Sequence, residues 1–170
     1  MDAVNGLVFS DRQIQSLFQP LLGLNCCRCK VGEFFSLSLG FGSKVDVPPP
    51  LSGRGLNTNY YGEWEVGSYQ KSWRVIRRTE ILHGGCETVN SESELNDRIA
   101  DVDFGRLRSV LQLSQWDVRI EFDTDYCVDF LGIDPCDETF HVFCPDNVSI
   151  VFKSGVGWFV GPSNQPWNLG

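Results

Sequence analysis

The sequence predicts an α+β fold, predominantly antiparallel β with two short helices, in a single domain spanning residues 1–170. Three observations predict it. Several short segments alternate strictly between apolar and polar residues, two serine-headed stretches repeat their apolar residues at helical spacing, and turn-rich connections separate them. At 170 residues, with 42% hydrophobic and 12% aromatic content including five tryptophans and twelve phenylalanines, the chain has enough apolar mass for one core.

The first element is a helix near 10–19. Ser10 followed by Gln13 is a capping box, and Ile14, Leu17, Phe18 and Leu21 fall on one face until Pro20 ends the helix. A strand carries Asn25-Cys26-Cys27-Arg28-Cys29-Lys30. Phe35, Leu37, Leu39 and Phe41 then alternate with Ser36, Ser38 and Gly40, the pattern of a half-buried strand. Residues 43–60 hold three prolines and two glycines, so an irregular surface loop is expected there. GEWEVGSYQKSWRV (62–75) resumes the strand pattern, and the basic run Arg74, Arg77 and Arg78 reads as a strand end. A second capping box, Ser91 with Glu94, opens a helix near 91–100 whose Leu95 and Ile99 stack one turn apart.

After it, Trp116, Val118, Ile120 and Phe122 alternate with Asp117, Arg119 and Glu121, and the FDTDY turn leads back through Val128 and Phe130 as a hairpin. Strands follow at 140–144, 148–153 and 158–160. Set side by side, the segments 24–80 and 106–167 echo one another: a hairpin-like strand pair, an irregular connection, and a strand group containing tryptophan. Two similar β-rich halves packed together would explain the echo.

Seven cysteines match no two-knuckle or Cys/His zinc spacing. In a regular strand Cys27 and Cys29 share a face, with Cys26 and Arg28 on the other, so the three thiols do not converge on one ion. Core packing is the reading for them. The chain carries no G-x-S-x-G, P-loop, H-E-x-x-H or dinucleotide-binding pattern, and no cofactor or metal is expected. His83 and His141 are its two histidines; His141 and Cys144 fall on opposite strand faces, which speaks against a catalytic pair. The start MDAVNGLVFSDR lacks a basic region and a long apolar run, and no stretch reaches membrane-span length, so a cytoplasmic protein with reduced thiols is expected.

Charge is the most informative signal. Between residues 117 and 146 nine acids (Asp117, Glu121, Asp123, Asp125, Asp129, Asp134, Asp137, Glu138 and Asp146) stand against one base, Arg119. That window carries −8, equal to the whole chain, so the remainder is neutral. Such a surface attracts a basic partner and repels nucleic acid. The window is therefore the candidate binding face, with Tyr126 and Phe140 as apolar anchors. Solvation of strand and loop exteriors is the plainer alternative for the same acids.

The segments LSLGFGS (37–43), GEWEVGSYQKSWRV (62–75), FHVFCPDN (140–147) and GWFVGPSNQPW (157–167) resemble a group of small bacterial proteins, some of them immunity proteins of polymorphic toxin and contact-dependent growth inhibition systems. The resemblance runs from about residue 24 to 167. It implies a cytoplasmic antitoxin without catalysis, a toxin inhibitor that binds one cognate C-terminal toxin domain, often an RNase or DNase. Nuclease clefts are basic because they hold phosphates, so an acidic face suits that implication. Two other classes remain open: an enzyme using Cys86 or Cys144 with a histidine, and a module that associates with itself through a sheet edge.

Overall fold

A computed structural model describes residues 11–46 and 60–163. The expected cap Ser10 and residues 47–59 of the expected loop lie outside the described residues. Among the described residues two antiparallel sheets enclose one apolar core, with two helices beside them.

Helix α1 (Asp11–Phe18) precedes β1 (Cys26–Val31), β2 (Leu37–Asp46) and β3 (Tyr60–Ser68). The chain then changes sheets to form β4 (Trp73–Arg77) and β5 (Glu80–Gly84). Helix α2 (Glu92–Ile99) precedes β6 (Leu107–Gln112), β7 (Val118–Phe122) and β8 (Tyr126–Phe130). A second change of sheet gives β9 (Glu138–Cys144), β10 (Val148–Lys153) and β11 (Gly157–Pro162). The first sheet has the order β1-β2-β3-β9-β10-β11 and the second β5-β4-β8-β7-β6.

The echo in the sequence is real in space, but the halves are not two modules laid side by side. Each is a helix and a three-stranded meander followed by strands that cross to the other half's sheet, β3 pairing with β9 and β8 with β4. The correspondence is close: α1 and α2, β1 and β6, and the starts of β2 and β7 (Leu37, Val118) are each 81 residues apart. Both β1/β2 and β6/β7 carry a bulge at the same place, between Cys26 and Arg28 and between Leu107 and Ser109. Phe41 and Phe122, equivalent by the same spacing, stack at 6.1 Å in the core. The helices are exchanged as well. Gln15 on α1 donates to the Val110 carbonyl of β6 (2.9 Å), while Asn96 on α2 pairs with both the N–H and the carbonyl of Val31 on β1 (2.7 and 2.6 Å).

The core is made by the inward rows of both sheets. Phe18, Phe41, Phe122, Phe130, Phe140 and Phe152 are fully buried, each contributing about 1.5–3 kcal/mol by leaving water. Ser91 caps α2 by accepting from the Glu94 N–H (3.2 Å), although the Glu94 carboxylate reaches back to the Asn90 N–H (2.9 Å) rather than to Ser91 itself. Phe35 and Trp116, expected in strands, precede them instead. Phe35 lies in a turn with φ 58°, and Ser114 gathers the N–H groups of Trp116 and Asp117 into a turn that delays β7 to Val118.

The facing expected of the cysteines is corrected by the bulge in β1. Cys26 and Cys29 both pack against the core, while Arg28 turns to the outer face and meets Glu65. An extra residue breaks strict alternation, so period two does not carry through it.

Candidate functional site

The alternation of β7 and β8 sends Val118, Ile120, Phe122, Val128 and Phe130 inward and their charged neighbours outward. Outward does not mean solvated. Asp129 is completely buried on the outer face of the second sheet, held by Arg119 Nε and Nη2 (2.6 and 3.0 Å) and by Arg74 Nε (3.1 Å). Glu121 accepts from Ser109 (2.7 Å) and Arg108 (3.2 Å), and these hydrogen bonds outweigh burial and lower its carboxyl below the ordinary range. Asp125 pairs with Arg78 at 3.0 Å.

The acidic window is thus not one face. Asp123 and Asp125 form the β7–β8 turn, with Asp123 accepting from the Arg106 N–H (2.8 Å). Asp117, Asp134, Asp137 and Glu138 lie at the other end of that sheet, where the chain passes from β8 to β9; Asp117 is occupied there by Ser114 and the Gly132 N–H. Asp146 sits in the β9–β10 turn with φ 66°, separated from Glu138 by the seven residues of β9, roughly 20 Å of strand. Two expected contact residues are also corrected. Phe140 is fully buried against Phe130 (5.1 Å), and Asp129 is consumed by its arginines, so neither presents itself to a partner. Tyr126 is half-buried, edge-on to Phe104 and beneath the Arg77 guanidinium.

What gathers at one end is smaller and more mixed. The two sheet-changing connections, 69–72 and 131–137, run side by side, joined by the Leu131 N–H to the Ser72 carbonyl (2.8 Å). Asp134, Asp137 and Glu138 have no ion-pair partner among the described residues. Beside them Tyr69 and Ile133 are 59% and 64% exposed. The Tyr69 hydroxyl is pushed above its usual range by partial burial and by the Glu138 charge, which places those two groups near one another. Ile133 also borders an apolar groove of about 520 Å³ that runs to Ile81 on β5, itself 57% exposed. A charge count along the sequence finds the acids but not this patch, because Tyr69 and Ile81 come from the first half of the chain.

Three residues on the groove bear on thiol chemistry. His83 Nδ1 lies 3.3 Å from Glu87 Oε2, and Cys86, which is exposed, borders the same groove. The other candidate thiol, Cys144, is buried, and burial pushes it up to about 12. It packs with the core, whereas His141 lies against Tyr69 and Phe143 on the outer face. Burial likewise lifts Cys26, and lifts Cys29 to about 12, so these thiols stay protonated. Among the described residues no group of three or more His, Cys, Asp or Glu side chains is arranged to hold a metal, and no helix is long and apolar enough to cross a membrane.

Compared with protein-family models, with curated proteins and with solved structures, the chain matches none of them.

Proposed function

We propose that the protein is a stoichiometric inhibitor of the immunity class, which captures a basic toxin domain, such as a nuclease, and acts without turnover in the cytoplasm. The observation that carries the reading is the sheet-changing end. There Asp134, Asp137 and Glu138, without ion-pair partners among the described residues, adjoin the exposed Tyr69 and Ile133. Exposed apolar side chains beside these three acids, with Lys71 the one base on the two connections, form a surface suited to a basic partner: the apolar groups supply affinity, and the acids steer approach and register. The binding surface is accordingly narrower than the whole acidic window.

The test is co-purification with the toxin domain encoded immediately upstream, followed by titration of its activity. One-to-one inhibition is expected. Replacing Asp134, Asp137 and Glu138 together by lysine should weaken binding by at least about 100-fold and invert its salt dependence, while the same reversal at Asp123 and Asp146 should leave binding within a few-fold. Undiminished binding by the triple variant would show that another surface is used.

A second reading, a thiol enzyme, is favoured by one observation, the His83–Glu87 contact in a groove bordered by Cys86. An oriented imidazole activates a thiol only if it meets it. Alkylation kinetics separate the readings, since Cys136 is an exposed internal reference. If Cys86 is a bystander, the two thiols react at similar rates at pH 6; a much faster Cys86 whose advantage disappears in His83→Ala would favour the enzyme.

A further inference from the structure

The outer face of the first sheet holds a cleft of about 330 Å³, at the small end of the range for ligand pockets. Its floor is an ion pair that water barely reaches: Arg28 Nη1 lies 3.0 Å from Glu65 Oε2, with the two side chains 3% and 2% exposed. Glu65 is further fixed by the Ser38 hydroxyl (2.6 Å) and the Gly62 N–H (2.7 Å). The walls are aromatic. Tyr61 lies against the Arg28 guanidinium at 4.7 Å, and His141 stacks between Tyr69 (4.4 Å) and Phe143 (4.8 Å). Lys30 and Ser36 border the opening.

Three independent features point to an occupant. His141 lines the cleft, is 5% exposed, and its Nδ1 has no hydrogen-bond partner among the described residues, a bond that buried polar groups ordinarily make. The internal repeat supplies the second. At the positions where the second sheet carries the large side chains Arg119 and Asp129, the first carries Ser38 and Gly67, 81 residues before Arg119 in one case and the equivalent partner on β3 in the other. On the second sheet the salt bridge occupies these positions, whereas on the first they carry small residues and the Arg28–Glu65 pair lies beside them, which leaves room for the cleft. Third, Arg28 and Glu65 neutralise each other and burial keeps His141 uncharged at pH 7, its value falling to about 4. Of the residues that line the cleft, the charge left over is Lys30, a positive group in a chain of net charge −8, with the Glu138 carboxylate outside the lining near Tyr69.

We propose that this cleft binds a small monocarboxylate with an aromatic or apolar body. Lys30 meets the carboxylate, the Tyr61, Tyr69 and Phe143 rings enclose the body, and the Arg28–Glu65 pair is the rigid floor that positions both. A phosphate suits the cleft less well, since it brings up to two negative charges against one uncompensated cation and lies close to Glu65. The cleft shares Tyr69 with the acidic patch but lies on the outer face of the first sheet, and its assignment does not depend on the inhibitor reading.

Titration of the full chain with benzoate, benzamide and inorganic phosphate, followed by NMR at Lys30, Tyr69 and His141, tests the assignment. Benzoate is expected to give saturable shifts at these residues in the millimolar range, with benzamide and phosphate giving none. Lys30→Gln should weaken benzoate roughly tenfold, the loss of one charge-assisted contact, and Lys30→Arg should retain it, both with the dispersed spectrum of a folded protein. Equal binding of benzamide would remove the role of charge, and tighter binding of phosphate would overturn the carboxylate assignment. Absence of saturable shifts with benzoate at tens of millimolar would overturn the site itself.

Discussion

Asp129 shows how far a charge travels from what its neighbours in sequence suggest. It counts among nine acids within thirty residues, yet it lies wholly buried between Arg119 and Arg74, the latter arriving from 55 positions earlier in the chain. Its site was legible as the outward side of β8, but its burial was not, because nothing local announces a distant partner. Removing the carboxylate leaves two guanidinium groups facing one another with their attraction gone. Both are partly exposed and rehydrate, so Asp129→Ala should cost about 3 kcal/mol, the lower part of the range for broken buried pairs; the midpoint of urea unfolding measures it, and a loss below about 1 kcal/mol would mean that the pair is ornamental. His141 makes a different prediction. Burial lowers its folded value to about 4 from 6.5, so below pH 6.5 the unfolded chain takes up a proton that the folded chain refuses. Stability is therefore kept above pH 6.5 and falls as pH drops from 6.5 toward 4, with a slope approaching about 1.4 kcal/mol per pH unit. Between pH 7 and pH 5 the native protein should lose about 2 kcal/mol more than His141→Phe; parallel profiles for the two proteins would show that the imidazole titrates normally.

Among the elements, the strands that alternate without interruption were readable, and β2, β7 and β10 lie close to where period two puts them. The elements that escaped detection are those without that signal. In β6, Leu107, Val110 and Leu111 are spaced as on a helix because a bulge displaces the inward row, and β5 is an edge strand with no buried residue. The helices were legible from their caps and apolar stripes, but their task was not. Asn96 completes the free edge of β1 as a neighbouring strand would, giving and accepting one hydrogen bond with Val31. An uncovered edge invites pairing with another chain. Asn96→Ala should thus cost about 1–3 kcal/mol, since it strands two half-buried backbone groups, and should raise the tendency to self-associate, visible as a concentration-dependent sedimentation coefficient. A variant as stable and monomeric as the native protein would show that the edge needs no such cover.

For the whole molecule, interleaving decides what can fold alone. The sequence echo marked two similar halves, but not their exchange. A repeated pattern specifies what each copy looks like, not whose strands it pairs with. Each sheet takes strands from both halves, and each helix satisfies the other half's first meander. A half by itself would expose the inner face of a three-stranded meander and of its detached strands, the β4–β5 hairpin in the first half and β9–β10–β11 in the second, with Phe41 or Phe122 deprived of its stacking partner, and such fragments are marginal in water. Cleaving the chain in the 85–90 connection between β5 and α2 therefore separates two pieces that need each other rather than two domains. Expressed singly, each should lack the dispersed amide spectrum of a folded protein; mixed, they should recover it with one-to-one stoichiometry, because the exchanged strands and helices carry all the information that the missing linkage did. If either fragment folds cooperatively on its own, the halves are autonomous modules and the shared sheets are a secondary association. Recovery on mixing would instead fix the sheet-changing end, with its acids and exposed Ile133, as a surface that exists only once both halves have combined.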